Sequence, residues 1–183
     1  EYFPYEKQFP HIYKMLLEGD THLWTPGKKY TVFNAAGLSF STPVCFEDTF
    51  GNGARKMVNN GACAFVNISN DAWSKSASCQ NQHLAMAVFR SIENRVPSVR
   101  STASGQTCII DCSGKIIAQT EPFTQSYCTG NIPVIPNNAG KTVYTVIGDL
   151  FGILFTAASA VFLTVGAVCA CLKRKRAHYC AEM

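Results

Sequence analysis

An uncharged stretch near the carboxyl end limits the folds open to this chain. Residues 150–172 contain no Asp, Glu, Lys or Arg, and roughly two dozen residues in a helix are long enough to cross a bilayer. A helix that is apolar on every side needs burial on every side, which is unusual in a chain of 183 residues. The stretch therefore predicts a transmembrane helix.

A basic cluster, Lys-Arg-Lys-Arg at 173–176, directly follows this stretch. Such clusters stay on the cytoplasmic side of a membrane, so the cluster predicts a cytoplasmic tail over 173–183 with the preceding residues on the other side. Its four basic residues equal the whole formal net charge of +4. No broad basic surface remains elsewhere, so we expect no nucleic-acid partner.

The part before the uncharged stretch predicts a layered α/β domain. β-Branched and aromatic runs indicate strands, and runs with helical spacing separate them. Strands are predicted at 30–33, 38–44, 64–68, 98–102 and 127–134, a hairpin at 106–111 with 115–119, and helices at 12–17, 54–60 and 81–94. Strands that alternate with helices are typical of an α/β domain, and residues 136–149 are expected to link it to the membrane helix.

The strand at 38–44 leads directly into Cys45, with Glu47 two residues later. A thiol at a strand-to-helix turn is exposed at the sheet edge, where nearby helix amides favour the nucleophilic thiolate. The alternative is a small buried hydrophobe, because free cysteine is among the most buried residue types. On this stretch alone the buried thiol is the favoured interpretation.

The nine cysteines indicate neither a metal site nor a disulfide framework. They include no Cys-x-x-Cys pair and no Cys/His grouping with zinc-finger spacing, so no metal and no cofactor is predicted. The chain is long enough to build a core without cross-links. An odd count leaves at least one thiol free or paired with another chain.

Five short motifs together resemble one family. They are Val-Cys-Phe-Glu-Asp at 44–48, Val-Asn-Ile-Ser-Asn-Asp-Ala-Trp at 66–73, Gln-His-Leu-Ala-Met-Ala at 82–87, Arg-Ser-Ile-Glu-Asn-Arg at 90–95 and Arg-Ser-Thr-Ala-Ser-Gly at 100–105. In this order and spacing the chain resembles the apolipoprotein N-acyltransferases, the membrane-bound branch of the nitrilase (carbon-nitrogen hydrolase) superfamily. The resemblance covers essentially the whole chain.

The resemblance implies the C-terminal portion of a nitrilase-like αββα sandwich over 1–135, followed by one transmembrane helix. It implies a bacterial inner-membrane enzyme whose catalytic domain lies on the periplasmic side. Such an enzyme takes an acyl chain from a phospholipid through a cysteine thioester. It then passes the chain to the N-terminal S-diacylglyceryl-cysteine of an apolipoprotein.

The resemblance also assigns site residues. Cys45 matches the nucleophile and Glu47 a carboxylate that the family needs close to it. Phe46 stands where the family usually has Tyr, so one hydroxyl is lost. Glu1 matches a further essential glutamate, and Asn70 and Asp71 are expected to shape the Cys45 loop.

The family's base Glu and catalytic Lys lie upstream of the segment at which this sequence begins. No residue here matches either of them, so we expect an incomplete copy without useful activity on its own. Two alternatives stay open: a membrane-anchored amidase of the nitrilase type that hydrolyses small amides, and an inactive remnant.

Other polar and aromatic residues have structural interpretations. His83 is expected to be a packed or capping histidine and Trp73 a core residue. Arg90, Glu93 and Arg95 are expected to form ion pairs. Residues 67–69 match an N-glycosylation sequon, which is discounted because the strand that carries it is predicted to be buried.

Overall fold

The computed structural model describes residues 8–16, 27–134 and 140–181. A mixed α/β unit occupies most of the described chain, and a long helix follows it. The helices are α1 (Pro10–Leu16), α2 (Gly51–Asn59), α3 (Ala77–Asn94), α4 (Val143–Ile147) and α5 (Leu150–Ala181). The strands are β1 (Phe33–Ala35), β2 (Leu38–Ser41), β3 (Ala64–Asn70), β4 (Ser98–Ala103), β5 (Cys108–Ile110) and β6 (Ile116–Gln119).

The six strands form one sheet whose spatial order is the same as their order in the chain. The central strands β2, β3 and β4 are parallel, because α2 and α3 carry the chain back between them. Antiparallel hairpins extend the sheet on both sides, β1 with β2 and β5 with β6. The carboxyl ends of β2, β3 and β4 therefore meet at one edge, where ligands of open parallel sheets usually bind.

Two small apolar clusters hold the helices on the sheet. Ala54 and Met57 of α2 pack with Phe65 and Val96, and Leu84 of α3 packs with buried residues of β5. Phe65 is 2% exposed, and burying a side chain of this size contributes about 1.5–3 kcal/mol. The alternating strands and helices and the hairpin confirm the predicted α/β fold class.

Three predicted strands differ in the structure, and the first of them, predicted at 30–33, lies instead at Phe33–Ala35. β2 stops at Ser41, and beyond it only Val44 makes an isolated bridge, to Ile68. Pro43 explains the break, because proline has no N–H to donate to a neighbouring strand. The prediction of a strand at 127–134 is wrong: these residues form no strand, and Gly130 and Pro133 within them disfavour one.

The predictions for Trp73 and Glu1 have different outcomes. Trp73 is 65% exposed in the turn after β3, so its prediction as a core residue is wrong. Glu1, predicted as a site glutamate, lies outside the described residues.

The C-terminal part begins with α4, which packs against α2 and α3, and continues into α5. Within α5, Leu150–Ala170 is long and apolar enough to cross a membrane, and its apolar side chains are not buried against the rest of the protein. The uncharged stretch predicted as a membrane helix is therefore helical throughout. The helix extends past the basic cluster to Ala181.

Candidate active site

Cys45 lies where β2 gives way to a short 3₁₀ turn, Cys45–Thr49, at the sheet edge shared by the parallel strands. Its backbone has φ of 51°, a left-handed conformation that a non-glycine residue adopts at a cost of about 1–3 kcal/mol. The side chain is half-buried. Such strain persists only where the surroundings enforce it, and it often marks a functional site.

Asn67 and Glu47 enforce this turn. The side-chain amide of Asn67 donates to the carbonyl oxygens of Pro43 and Cys45, both at 3.0 Å. Glu47 accepts from the N–H of Val44 at 2.8 Å through Oε2. Asn67 is 1% exposed, so the sequon interpretation is rightly discounted, but its role in holding the turn was not predicted.

Beneath the turn lies a group of four buried ionisable side chains, which we call the charged network: Asp48, Asp71, His83 and Arg100. His83 lies between the two carboxylates, with Nε2 2.8 Å from Asp48 Oδ1 and Nδ1 3.1 Å from Asp71 Oδ1. Arg100 Nε lies 3.2 Å from Asp48 Oδ2, an ion pair without hydrogen-bond alignment. All four side chains are at most 5% exposed.

The geometry favours a doubly protonated imidazole. Each ring nitrogen of His83 faces a carboxylate oxygen at hydrogen-bond distance, and only the imidazolium carries a donor on both nitrogens. Burial opposes this charge, but the hydrogen bonds to Asp48 and Asp71 outweigh it and raise the pKa of His83 to about 9. Burial likewise opposes an ionised Asp71, yet the hydrogen bonds from His83 and Ser69 lower the pKa of Asp71 below its ordinary value.

Ser69 joins this network to the thiol. Its Oγ lies 2.9 Å from Asp71 Oδ1 and 3.5 Å from Cys45 Sγ. A continuous chain of polar contacts therefore runs from Cys45 through Ser69 and Asp71 to His83. Burial leaves Ser69 7% exposed and Asp71 2% exposed, so water competes little for these contacts.

The other predicted site residues fall around this chain of contacts. The ring of Phe46 packs against His83, with centroids 5.5 Å apart, and meets Phe50 edge-on. Asn70 forms a local turn by accepting from the N–H of Ala72, whereas Asp71 points into the buried network. The two residues that were predicted together thus take separate roles.

Sequence reasoning missed Asp48, Ser69, Asn67 and Arg100, and it placed His83 only as a packed residue. His83 is indeed packed, but it also bridges two carboxylates. One available signal was Arg100, because an arginine in the middle of a buried-type strand needs a buried anionic partner. In the described ranges no group of three or more His, Cys, Asp or Glu side chains is arranged to hold a metal ion.

Comparisons with known proteins agree on the family. A model described as carbon-nitrogen hydrolase matches residues 8–135. Apolipoprotein N-acyltransferase 1 of Treponema pallidum is 44% identical over 176 residues, covering 96% of this chain and 32% of that protein. Its Treponema denticola namesake is 45% identical over 156 residues, covering 85% and 28%. The apolipoprotein N-acyltransferase of Geobacter metallireducens is 33% identical over 180 residues, covering 98% and 32%.

The chain thus spans between 28% and 32% of the length of these three curated relatives. Among solved structures, a carbon-nitrogen hydrolase from Helicobacter pylori superposes with a TM-score of 0.50 at 16% identity, covering 55% of this chain and 42% of that one. At this identity the likeness shows the nitrilase fold alone.

Proposed function

We propose that this chain, which belongs to the carbon-nitrogen hydrolase family, serves the N-acylation of lipoproteins as part of an apolipoprotein N-acyltransferase. The names of its relatives at 33–45% identity support this activity. The observation that carries the proposal is Cys45, a strained and half-buried thiol at the carboxyl edge of the parallel strands, where the family's nucleophile is expected.

The proposed reaction has two steps, both at the Cys45 sulfur. The thiolate attacks the ester carbonyl of a phospholipid, a thioester forms, and the lysophospholipid leaves as an alcohol. The α-amino group of the S-diacylglyceryl-cysteine of an apolipoprotein then attacks the thioester carbonyl. An amide forms, the amino group loses a proton, and the Cys45 thiol is regenerated.

Residues around Cys45 supply part of what these steps require. The backbone amide of Phe46 is our candidate for one donor to the developing oxyanion. Glu47, through its hydrogen bond to Val44, keeps the turn that presents the thiol. From the family resemblance, we infer that no residue of these 183 is the counterpart of the family's base Glu or catalytic Lys. We therefore expect the 183-residue chain, produced on its own, to lack useful activity, because losing such groups costs several orders of magnitude in rate.

We place the activity at the bacterial inner membrane. In this proposal residues 1–135 contribute to the catalytic domain on the periplasmic side, 136–149 link it to the membrane, 150–172 cross the membrane and 173–183 lie in the cytoplasm. The apolar surface of Leu150–Ala170 and the basic cluster after it support this orientation. Phospholipid as donor and apolipoprotein as acceptor are the proposed partners.

A thioester-trapping experiment tests the proposal. The sample is the complete gene product that contains these 183 residues, called the full-length protein below, solubilised in detergent. It is mixed with a phospholipid whose acyl chain is isotopically labelled, and the mass of the Cys45 peptide is measured by mass spectrometry. We expect an acyl adduct that hydroxylamine removes, that a diacylglyceryl-cysteine peptide discharges, and that is absent in Cys45→Ala. Cys63→Ala is a matched control on another half-buried cysteine and should keep the adduct.

Two outcomes would contradict the proposal. Label on a different cysteine would show that Cys45 is not the nucleophile. Release of ammonia from small amides, with no adduct from phospholipid, would instead indicate an amidase of the nitrilase type.

A further inference from the structure

We propose that Ser69 is a positioning residue for the nucleophile: its hydroxyl, aligned by Asp71, turns its proton from the Asp71 carboxylate to the Cys45 sulfur when the thiolate forms. This inference rests on the proposed function, which makes Cys45 the nucleophile. It assigns to β3 a role that neither the family resemblance nor the site predictions include.

The Ser69 hydroxyl lies between two possible acceptors of its proton. Ser69 Oγ lies 2.9 Å from Asp71 Oδ1 and 3.5 Å from Cys45 Sγ. A serine hydroxyl has one proton and can donate to only one of the two in a straight hydrogen bond. While Cys45 is a neutral thiol, the nearer and charged carboxylate is the stronger acceptor. Once the sulfur is an anion, it competes with Asp71 Oδ1 for this proton, because a charged sulfur is a stronger acceptor than a neutral thiol.

Asp71 keeps another hydrogen-bond donor when the Ser69 proton turns away from it. The same oxygen, Oδ1, also accepts from His83 Nδ1 at 3.1 Å. His83 is fixed from its other side by Asp48, and Arg100 of β4 balances the charge of that carboxylate. Two cations and two anions face one another in the charged network, so the buried group is neutral overall. The carboxylate therefore stays partnered in both positions of the Ser69 proton.

The surroundings leave Ser69 and Asp71 little room to move. Ser69 is 7% exposed and Asp71 is 2% exposed. Gly105 lies directly behind the carboxylate: a β-carbon at this position would stand 2.5 Å from Asp71 Oδ2. The parallel pairing of β3 with β4, in which Ser69 lies opposite Thr102, also fixes the Ser69 backbone. Because the hydroxyl is already held in place, little further ordering of the site is needed when the sulfur becomes charged.

The pH dependence of Cys45 alkylation tests the inference without any lipid substrate. Full-length protein in detergent is treated with iodoacetamide between pH 5 and 10, and Cys45 is followed by peptide mass. The thiolate displaces iodide and forms a stable thioether. We expect Ser69→Ala to raise the pH of half-maximal alkylation by about 0.5–1 unit. The rate at neutral pH should then fall about three- to tenfold, because a hydrogen bond to an anion favours the charged form.

Three comparisons make the result specific. Ser69→Thr keeps the hydroxyl and should restore the wild-type profile. Ser98→Ala removes another buried hydroxyl, which lies on the neighbouring strand β4 and pairs with Ser91 of α3 at 2.7 Å, and it should leave the Cys45 profile unchanged. Cys108 gives an internal reference, because burial raises the pKa of its thiol to about 11 and it should stay unmodified.

The outcomes separate this inference from the proposed function. A Ser69→Ala profile that overlays wild type would overturn the inference, whatever happens to acyl transfer. If Ser69→Ala unfolds more readily than Ser98→Ala, Ser69→Thr decides: a wild-type profile supports the inference and a shifted profile contradicts it. Failure of acyl transfer with the expected alkylation shifts would contradict the proposed function alone.

Discussion

Two buried polar clusters in this molecule differ in charge: one is built from ionisable side chains and the other from uncharged ones. The charged network under Cys45 consists of ionisable side chains. The second cluster joins α3 to α4, just before the membrane helix begins, and we call it the threonine clasp: Asn94, Thr142 and Thr145. There Thr145 Oγ1 donates to Asn94 Oδ1 at 3.0 Å and lies 2.8 Å from Thr142 Oγ1. No residue of the clasp carries a charge.

The charged network and the threonine clasp differ in how their contributions to stability respond to pH and to the loss of a partner. Buried charges are costly unless every one is paired, so the charged network must be complete, and its stability must vary with pH. A buried hydroxyl costs less when it loses a partner, and it does not titrate near neutral pH. Arg55 and Asn59 of α2 also donate to the carbonyl of Thr145, at 3.2 and 3.0 Å. The clasp thus attaches α4, just before α5, through uncharged side chains of its own, with Arg55 as a charged donor to its backbone, while the charged network serves the thiol.

The largest expected effect is the loss of the imidazolium. His83→Leu leaves Asp48 and Asp71 buried without their shared cation, and breaking such a buried pair costs about 3–5 kcal/mol. We expect this loss in the free energy of unfolding of the full-length protein at pH 6, measured by guanidinium titration in detergent with near-UV circular dichroism. A loss below about 1 kcal/mol would show that the charges are hydrated and would end the contrast with the clasp.

The second expected effect is a pH dependence that belongs to the charged network. The folded pKa of His83 is raised from 6.5 to about 9, so its stabilisation is complete below pH 6.5 and is lost as pH rises through 9. The lost free energy is roughly 3 kcal/mol. Asp71 acts in the opposite direction: its pKa is lowered, so its contribution is lost only in acid, below 3.8.

The difference between the wild-type and His83→Leu unfolding curves isolates this dependence. We expect the two curves to converge between pH 6.5 and 9. A constant separation over that range would mean that folding does not raise the pKa of His83, contrary to its position between two carboxylates.

The smallest expected effect concerns the clasp. Thr145→Val keeps the side-chain shape but removes the donor to Asn94 Oδ1, and Thr145 is 0% exposed. Leaving a buried acceptor without its donor costs about 1–3 kcal/mol. We expect a loss in this range that stays the same from pH 6 to 9. A loss that changes over this interval would show that the clasp is coupled to the charged network and would remove the distinction drawn between them.

Much of the fold follows from short patterns in the sequence. The βαβ alternation, the hairpin after β4 and the helical uncharged stretch were all predicted, because each depends on neighbours a few residues apart. The strand predicted at 127–134 failed because apolar content alone does not make a strand without a partner, and Gly130 and Pro133 disfavour one. Trp73 failed similarly, since its size favoured burial but its turn points it outward.

The candidate site was only partly predictable. Cys45 and Glu47 were identified from their place after a strand and from the family resemblance. Ser69, by contrast, looked like one residue of a turn motif, and nothing local marks it as the neighbour of a sulfur 24 residues earlier. Asp48 and Arg100 reach His83 from separate elements, so their pairing depends on the parallel register of β3 and β4.

The sequence alone determined that a thiol would follow a strand and that a long apolar helix would follow the α/β domain. Both are properties of contiguous residues: backbone preference, side-chain polarity and length. Only the tertiary structure decided what surrounds that thiol, because the fold links residues 45, 69, 71 and 83 in one chain of successive polar contacts. It also decided the charge of His83, since an imidazole becomes a buried cation only where two carboxylates converge on it.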